Sequence, residues 1–329
     1  MPQLDLFADA EETVEVGTVS EAEARPAAGL SRSSSISAAL PLYRSYLLGN
    51  GLSENTVTAF LGDIRLLVKF LHETASKEAL NAIGTDVLNQ FLYWLRFERK
   101  DPEGKPVPCS PKSFARRITS LKSFFGWLAA TEVLPADPAA AVIQESVQAP
   151  LPRILNDAET ERLMRATRDL LWSPSKPDAR PHLLVLLLLQ TGLKKGETVG
   201  IRLEDIDSSN PREPVLTVRY EDGRHPHKER QLFLGPGFLP VLNQYLRIYQ
   251  PASHLFECTP RNLEYILEDA AHLADIQGGV SFETMRWTSA VRSYRFGAPP
   301  DALRQKLGLS AIAWRETFEK IKRLAGPAM

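Results

Sequence analysis

The chain has 329 residues, 43% of them hydrophobic and 24% charged, which is enough for two domains with separate cores and excludes a collagen-like, mucin-like or wholly disordered protein. Its longest apolar stretch, Leu183 to Leu189, falls far short of the roughly 20 residues a membrane span needs, and two cysteines, Cys109 and Cys258, make neither a disulfide framework nor a Cys-rich zinc set. The net charge of -1 hides a polarity, because the first 35 residues hold seven acidic residues against Arg25 and Arg32, leaving 37 basic against 33 acidic residues in the rest.

Residues 1–35 are rich in Glu, Ala and Ser and end in the run Ser31 to Ser35, a composition that predicts a disordered acidic tail. From Ile36 the spacing turns helical, with Leu40, Tyr43 and Leu47 before the break at Asn50-Gly51. A second helix, capped by Ser53, carries Val57, Phe60, Leu61, Ile64, Leu67, Phe70 and Leu71 on one side. A third starts near Thr85-Asp86 and runs through Leu95, and a fourth starts at Ser110-Pro111, a serine cap with proline in the first helical position. These predict an all-helical first domain over 36–132. Pro135, Pro138, Pro150 and Pro152 then mark an extended linker over 133–153.

In the second domain, 154–329, the pattern predicts helices over 157–171, 179–192, 236–249, 260–274, 283–296, 299–307 and 310–324. Val215 to Tyr220 and Arg230 to Leu234 alternate with period two around a turn-rich segment, which predicts a β-hairpin. The fold class is therefore mainly α with a small β-hairpin or sheet.

Several stretches carry a resemblance. The fourth helix, Ser110 to Leu128, with the exit turn Leu134-Pro135-Ala136-Asp137-Pro138, resembles the DNA-contacting helix of the core-binding domain in tyrosine recombinases, the phage-integrase family. In the second domain, Leu189 to Glu197 with Ile201 to Asp207 resembles that family's first active-site box. Gly223-Arg224 with Lys228-Glu229-Arg230 resembles its lysine-bearing hairpin, Ser281 to Thr288 its second box, and Leu307-Gly308-Leu309-Ser310 through Phe318 the segment ending in the nucleophile. The likeness is collinear over about 36 to 325. It implies a SAM-like helical core-binding domain followed by an α+β catalytic-like domain.

In that family a tyrosine attacks a DNA phosphate to form a 3'-phosphotyrosyl link while two arginines clamp the oxygens, a lysine protonates the leaving oxygen, and His or Trp groups assist. An arginine suits the clamp because its planar fork makes two parallel hydrogen bonds and stays charged. Here Lys194 stands at the first arginine, Arg224 near the lysine, with Lys228 as the alternative if the turn is threaded differently, Glu283 at a histidine, and Leu309 at the late His or Trp; Arg286 is retained. Phe318 takes the nucleophile's place and has no hydroxyl. Thr317 points about 100° away on a helix, and Tyr294 lies about two turns beyond Arg286 on another helix. The resemblance thus implies a catalytically degenerate member.

What remains is a grip on double-stranded DNA. The candidate phosphate contacts are Lys112, Arg116, Arg117, Lys122, Lys194, Arg224, Lys228, Arg230, Arg286 and Arg292, with surface ion pairing as the plainer alternative for part of the set. Gln3-Leu4-Asp5-Leu6-Phe7 resembles the pentapeptide by which bacterial proteins dock on the replication sliding clamp, a short apolar anchor on an acidic tail. The expected role is an accessory or regulatory component of recombination or integration by a mobile element, cytoplasmic and nucleoid-associated, partnered by DNA and by an active recombinase or a second copy. Two rival readings are a strand transferase with an altered active site and a protein-binding adaptor. Neither a metal nor a cofactor is expected, and no membrane contact.

Overall fold

The computed structural model describes residues 29–143, 150–220 and 226–326. They divide into two compact units at residues 150 and 151, and each has its own core. The fold is mostly helical with one three-stranded sheet. No helix among the described residues is long and apolar enough to cross a membrane.

The first unit holds α1 (Ile36–Gly49), α2 (Glu54–Glu73), α3 (Thr85–Phe97) and α4 (Pro111–Ala130). Ser35, Ser53 and Ser110 each cap the following helix by accepting from the backbone N–H three residues on, which satisfies a donor that has no partner inside the helix. The apolar stripes of α2 and α4 face each other, and Tyr43, Phe124 and Trp127 form an aromatic cluster in the core, with Tyr43 edge-on to Phe124 at 5.0 Å between ring centroids.

Two boundaries read from the sequence need correction. The tail expected to run to residue 35 stops earlier: Leu30 packs on the core, Ser34 O accepts from Leu80 N at 2.9 Å, and Arg32 O accepts from Asn81 N at 2.9 Å. The serine run carries no apolar pattern, and what orders it is its backbone. The extended linker expected from 133 is likewise shorter, since Val133, Leu134, Ala139 and Val142 are buried in the first core. Pro135 and Pro138 shape a turn there, with Asp137 Oδ1 accepting from Ala139 N at 2.8 Å. The rest of the predicted tail, 1–28, lies outside the described residues.

The second unit opens with α5 (Asp157–Leu171) and α6 (Arg180–Thr191). Leu183, Leu184, Val185, Leu187 and Leu188 of α6 are fully buried, as its nearly all-apolar sequence requires, and α5, α8 (Phe238–Tyr249), α9 (Pro260–Leu273) and α10 (Phe282–Arg295) pack around it. α6 ends at Gly192, which turns the chain with a positive φ of 66° into α7 (Lys195–Gly200). The predicted hairpin is β2 (Val215–Val218) paired antiparallel with β3 (Arg230–Phe233), and β1 (Ile206–Asp207) adds a third strand on the far side of β2. α11 (Pro300–Leu307) and α12 (Ala311–Ala325) close the unit against α10.

Candidate functional site

Much of the second unit's candidate set converges on a buried carboxylate. Glu197, on α7, has a side chain only 3% exposed and meets Arg230 of β3, itself 5% exposed, in a two-pronged ion pair with N–O distances of 3.0 and 2.9 Å. Lys194 N donates to Glu197 Oε2 at 2.9 Å, and Tyr220 Oη donates to Oε1 at 2.8 Å. Burial alone would raise the carboxyl's pKa; the hydrogen bonds and charge of Arg230 outweigh it, with help from the Arg286 charge, and push it down to about 2.

Arg230 has a second task. Its Nε donates to Lys306 O and its Nη1 to Lys228 O, both at 2.7 Å, so it closes one of the free carbonyls at the end of α11. Expected as a phosphate contact, it is instead a buried structural cation, because a carboxylate arriving from α7 and the end of α11 already hold its fork. Arg286, on α10 and 9% exposed, works alongside it: Nη1 donates to Gly192 O and Nη2 to Leu307 O, each at 2.6 Å. It thereby joins the C-terminal ends of α6 and α11, where a cation also suits the helix dipoles.

The other residues singled out by the resemblance lie as follows. Lys194 is the N-cap residue of α7 with a half-buried side chain. Lys228 is half-buried, its Nζ 5.7 Å from the centroid of the Tyr220 ring. Glu283 is exposed in the first turn of α10, where the helix dipole favours a carboxylate. Leu309 is buried in a small cluster with Trp287, Val291, Leu307 and Ile321. Phe318, on α12, stacks on Trp314 at 4.9 Å, receives Tyr294 edge-on at 5.7 Å, and has Lys322 Nζ 5.1 Å from its centroid. Arg292 pairs with Asp157 at 2.7 Å. Arg224 and the segment Gln3 to Phe7 lie outside the described residues.

In the first unit, Lys112 is exposed at the start of α4 and Lys122 is half-buried farther along it. Arg116 and Arg117 turn toward Asp63 of α2, whose Oδ2 lies 2.5 Å from Arg116 Nη1 and whose Oδ1 lies 3.5 Å from Arg117 Nε. Arg117 Nη1 also donates to Cys109 Sγ at 2.5 Å. Asp63 was not among the expected functional residues, although a lone acid between Phe60 and Leu67 in an apolar stripe is a readable signal. Lys306 was also missed; its Nζ donates to Ser293 Oγ at 2.8 Å, and burial lowers its pKa to about 8. Among the described residues no group of three or more His, Cys, Asp or Glu is placed to hold a metal.

Known proteins resemble this chain in sequence and in fold. Residues 40–132 match the phage integrase N-terminal SAM-like domain. Over 293 residues the chain is 26% identical to tyrosine recombinase XerD of Listeria innocua, covering 84% of this chain and 92% of the relative. It is 27% identical over 288 residues to a tyrosine recombinase of Thermosipho africanus, covering 83% and 94%. Among solved structures, a lambda integrase dimer bound to a COC' core site superposes with a TM-score of 0.65 at 16% identity, covering 89% of this chain and 79% of that one. XerH bound to palindromic difH substrate gives 0.64 at 15% identity, covering 88% and 81%. Over most of its length the chain is thus similar to tyrosine recombinases, and its first unit matches their SAM-like domain.

Proposed function

We propose that this protein grips double-stranded DNA on a tyrosine-recombinase scaffold without breaking it, as an accessory or regulatory component of recombination or integration by a mobile element. The observation that carries the reading is Phe318, an aromatic ring without a hydroxyl, packed against Trp314 and Lys322 at the position the resemblance assigns to the family's attacking group. Three other positions agree with it. Lys194 lacks the two-pronged fork, Glu283 brings negative charge toward a phosphate site, and Leu309 neither donates nor accepts a hydrogen bond. The lambda integrase and XerH structures of the same fold are DNA complexes, which supports a duplex as the partner; the lambda integrase copies form a dimer, which supports assembly with a second copy or an active relative.

The test is a nicked suicide duplex incubated with the protein and then denatured. No covalent protein–DNA adduct is expected, while a gel shift of the same duplex weakens steeply as salt rises. An adduct that survives denaturation would establish an altered-site strand transferase, and no shift even at low ionic strength would leave the adaptor reading.

The N-terminal pentapeptide adds a partner to the proposal, the bacterial sliding clamp. A peptide of residues 1–10 is expected to bind purified clamp, and Phe7→Ala to abolish binding by removing the apolar anchor. Equal binding by both peptides would end this part of the reading.

A further inference from the structure

Asp63 is only 4% exposed, and a carboxylate in that position must find partners or become costly. Its side-chain partners come from α4: Arg116 at 2.5 Å, Ser120 Oγ at 2.8 Å and Arg117 at 3.5 Å. One carboxylate therefore faces two guanidinium groups, and the trio keeps a surplus positive charge. Arg116 Nη1 is fixed again by Ala59 O at 3.2 Å, so the planar fork is held from the α2 side. The side chain nevertheless stays 20% exposed, and Lys112, one turn earlier on α4, is exposed. A long side chain already fixed in the fold loses less entropy when it meets a ligand.

We propose that Asp63 is a positioning residue for DNA binding, anchoring Arg116 from α2 so that its exposed part is pre-ordered for a backbone phosphate. The proposal rests on the DNA-binding reading above. A carboxylate that only held the two helices together would affect stability and leave the number of phosphate contacts alone.

That difference is measurable as the slope of log K against log salt for a duplex, using the full-length chain. Asp63→Asn keeps the shape and the Ser120 hydrogen bond while removing the charge. It is expected to weaken duplex binding about tenfold and to make the slope shallower by about 0.9, the signature of one lost phosphate contact. Arg116→Ala should reduce the slope by the same amount, and the double variant should reduce it no further. An unchanged slope in Asp63→Asn overturns the proposal, however far its melting temperature falls. Should that variant not fold, Arg116→Ala decides alone, since a wild-type slope there means that Arg116 meets no phosphate. A wild-type chain that binds no duplex at low salt removes the DNA-binding reading itself, and this proposal with it.

Discussion

Replacing Arg230 with alanine is expected to cost about 3–5 kcal/mol of folding stability, measured by urea unfolding at neutral pH, because it leaves the Glu197 carboxylate buried without its counter-ion. The Lys194 N–H and the Tyr220 hydroxyl would remain as donors, but neither carries a formal charge on the contacting group. The same change uncaps Lys306 O at the end of α11. Substituting both partners by apolar residues of similar volume, Glu197→Leu with Arg230→Met, should recover most of the loss, since removing both charges also removes their desolvation cost. A loss below about 1 kcal/mol for the single variant would mean that water reaches the pair and screens it.

Acidification should destabilise the protein in two stages. His182 is 4% exposed and bonded through Nδ1 to Thr167 Oγ1 at 2.9 Å; burial, assisted by the Arg168 charge, lowers its pKa from 6.5 to about 4. Between those values the unfolded chain takes up a proton that the folded chain refuses, so stability falls as pH drops from 6.5 toward 4, by about 3 kcal/mol in all. Glu197 follows in the window between 4.5 and about 2, where the ion pair with Arg230 is lost on protonation. Urea unfolding from pH 7 to pH 4 tests the first stage. The decline should be markedly shallower in His182→Gln; an identical pH dependence would show that His182 is protonated in the fold.

Most helices were legible because their ends are chemically marked. Ser53 and Ser110-Pro111 announced α2 and α4, and the apolar spacing placed α5 at its observed limits. α7 and β1 were missed for a physical reason: six residues and two residues are too short to show a period. The prolines after α4 misled in the other direction, since proline fixes one dihedral angle and serves a packed turn as well as an extended linker. In the candidate site the resemblance named positions in the sequence, but the use made of each cation could not be read there. Arg230 meets a carboxylate 33 residues away and Arg116 one 53 residues away, and such partners emerge only when α7, β3, α2 and α4 are assembled.

Arg286 shows what a structural role means for the history of a fold. Its guanidinium ties the carbonyl of Gly192 to that of Leu307, so the second unit would need it even if no phosphate ever arrived. Side chains whose sole company is a substrate are free to drift once turnover stops mattering, whereas a keystone shared with the architecture is retained by folding itself. The presence of this arginine is therefore no testimony to activity.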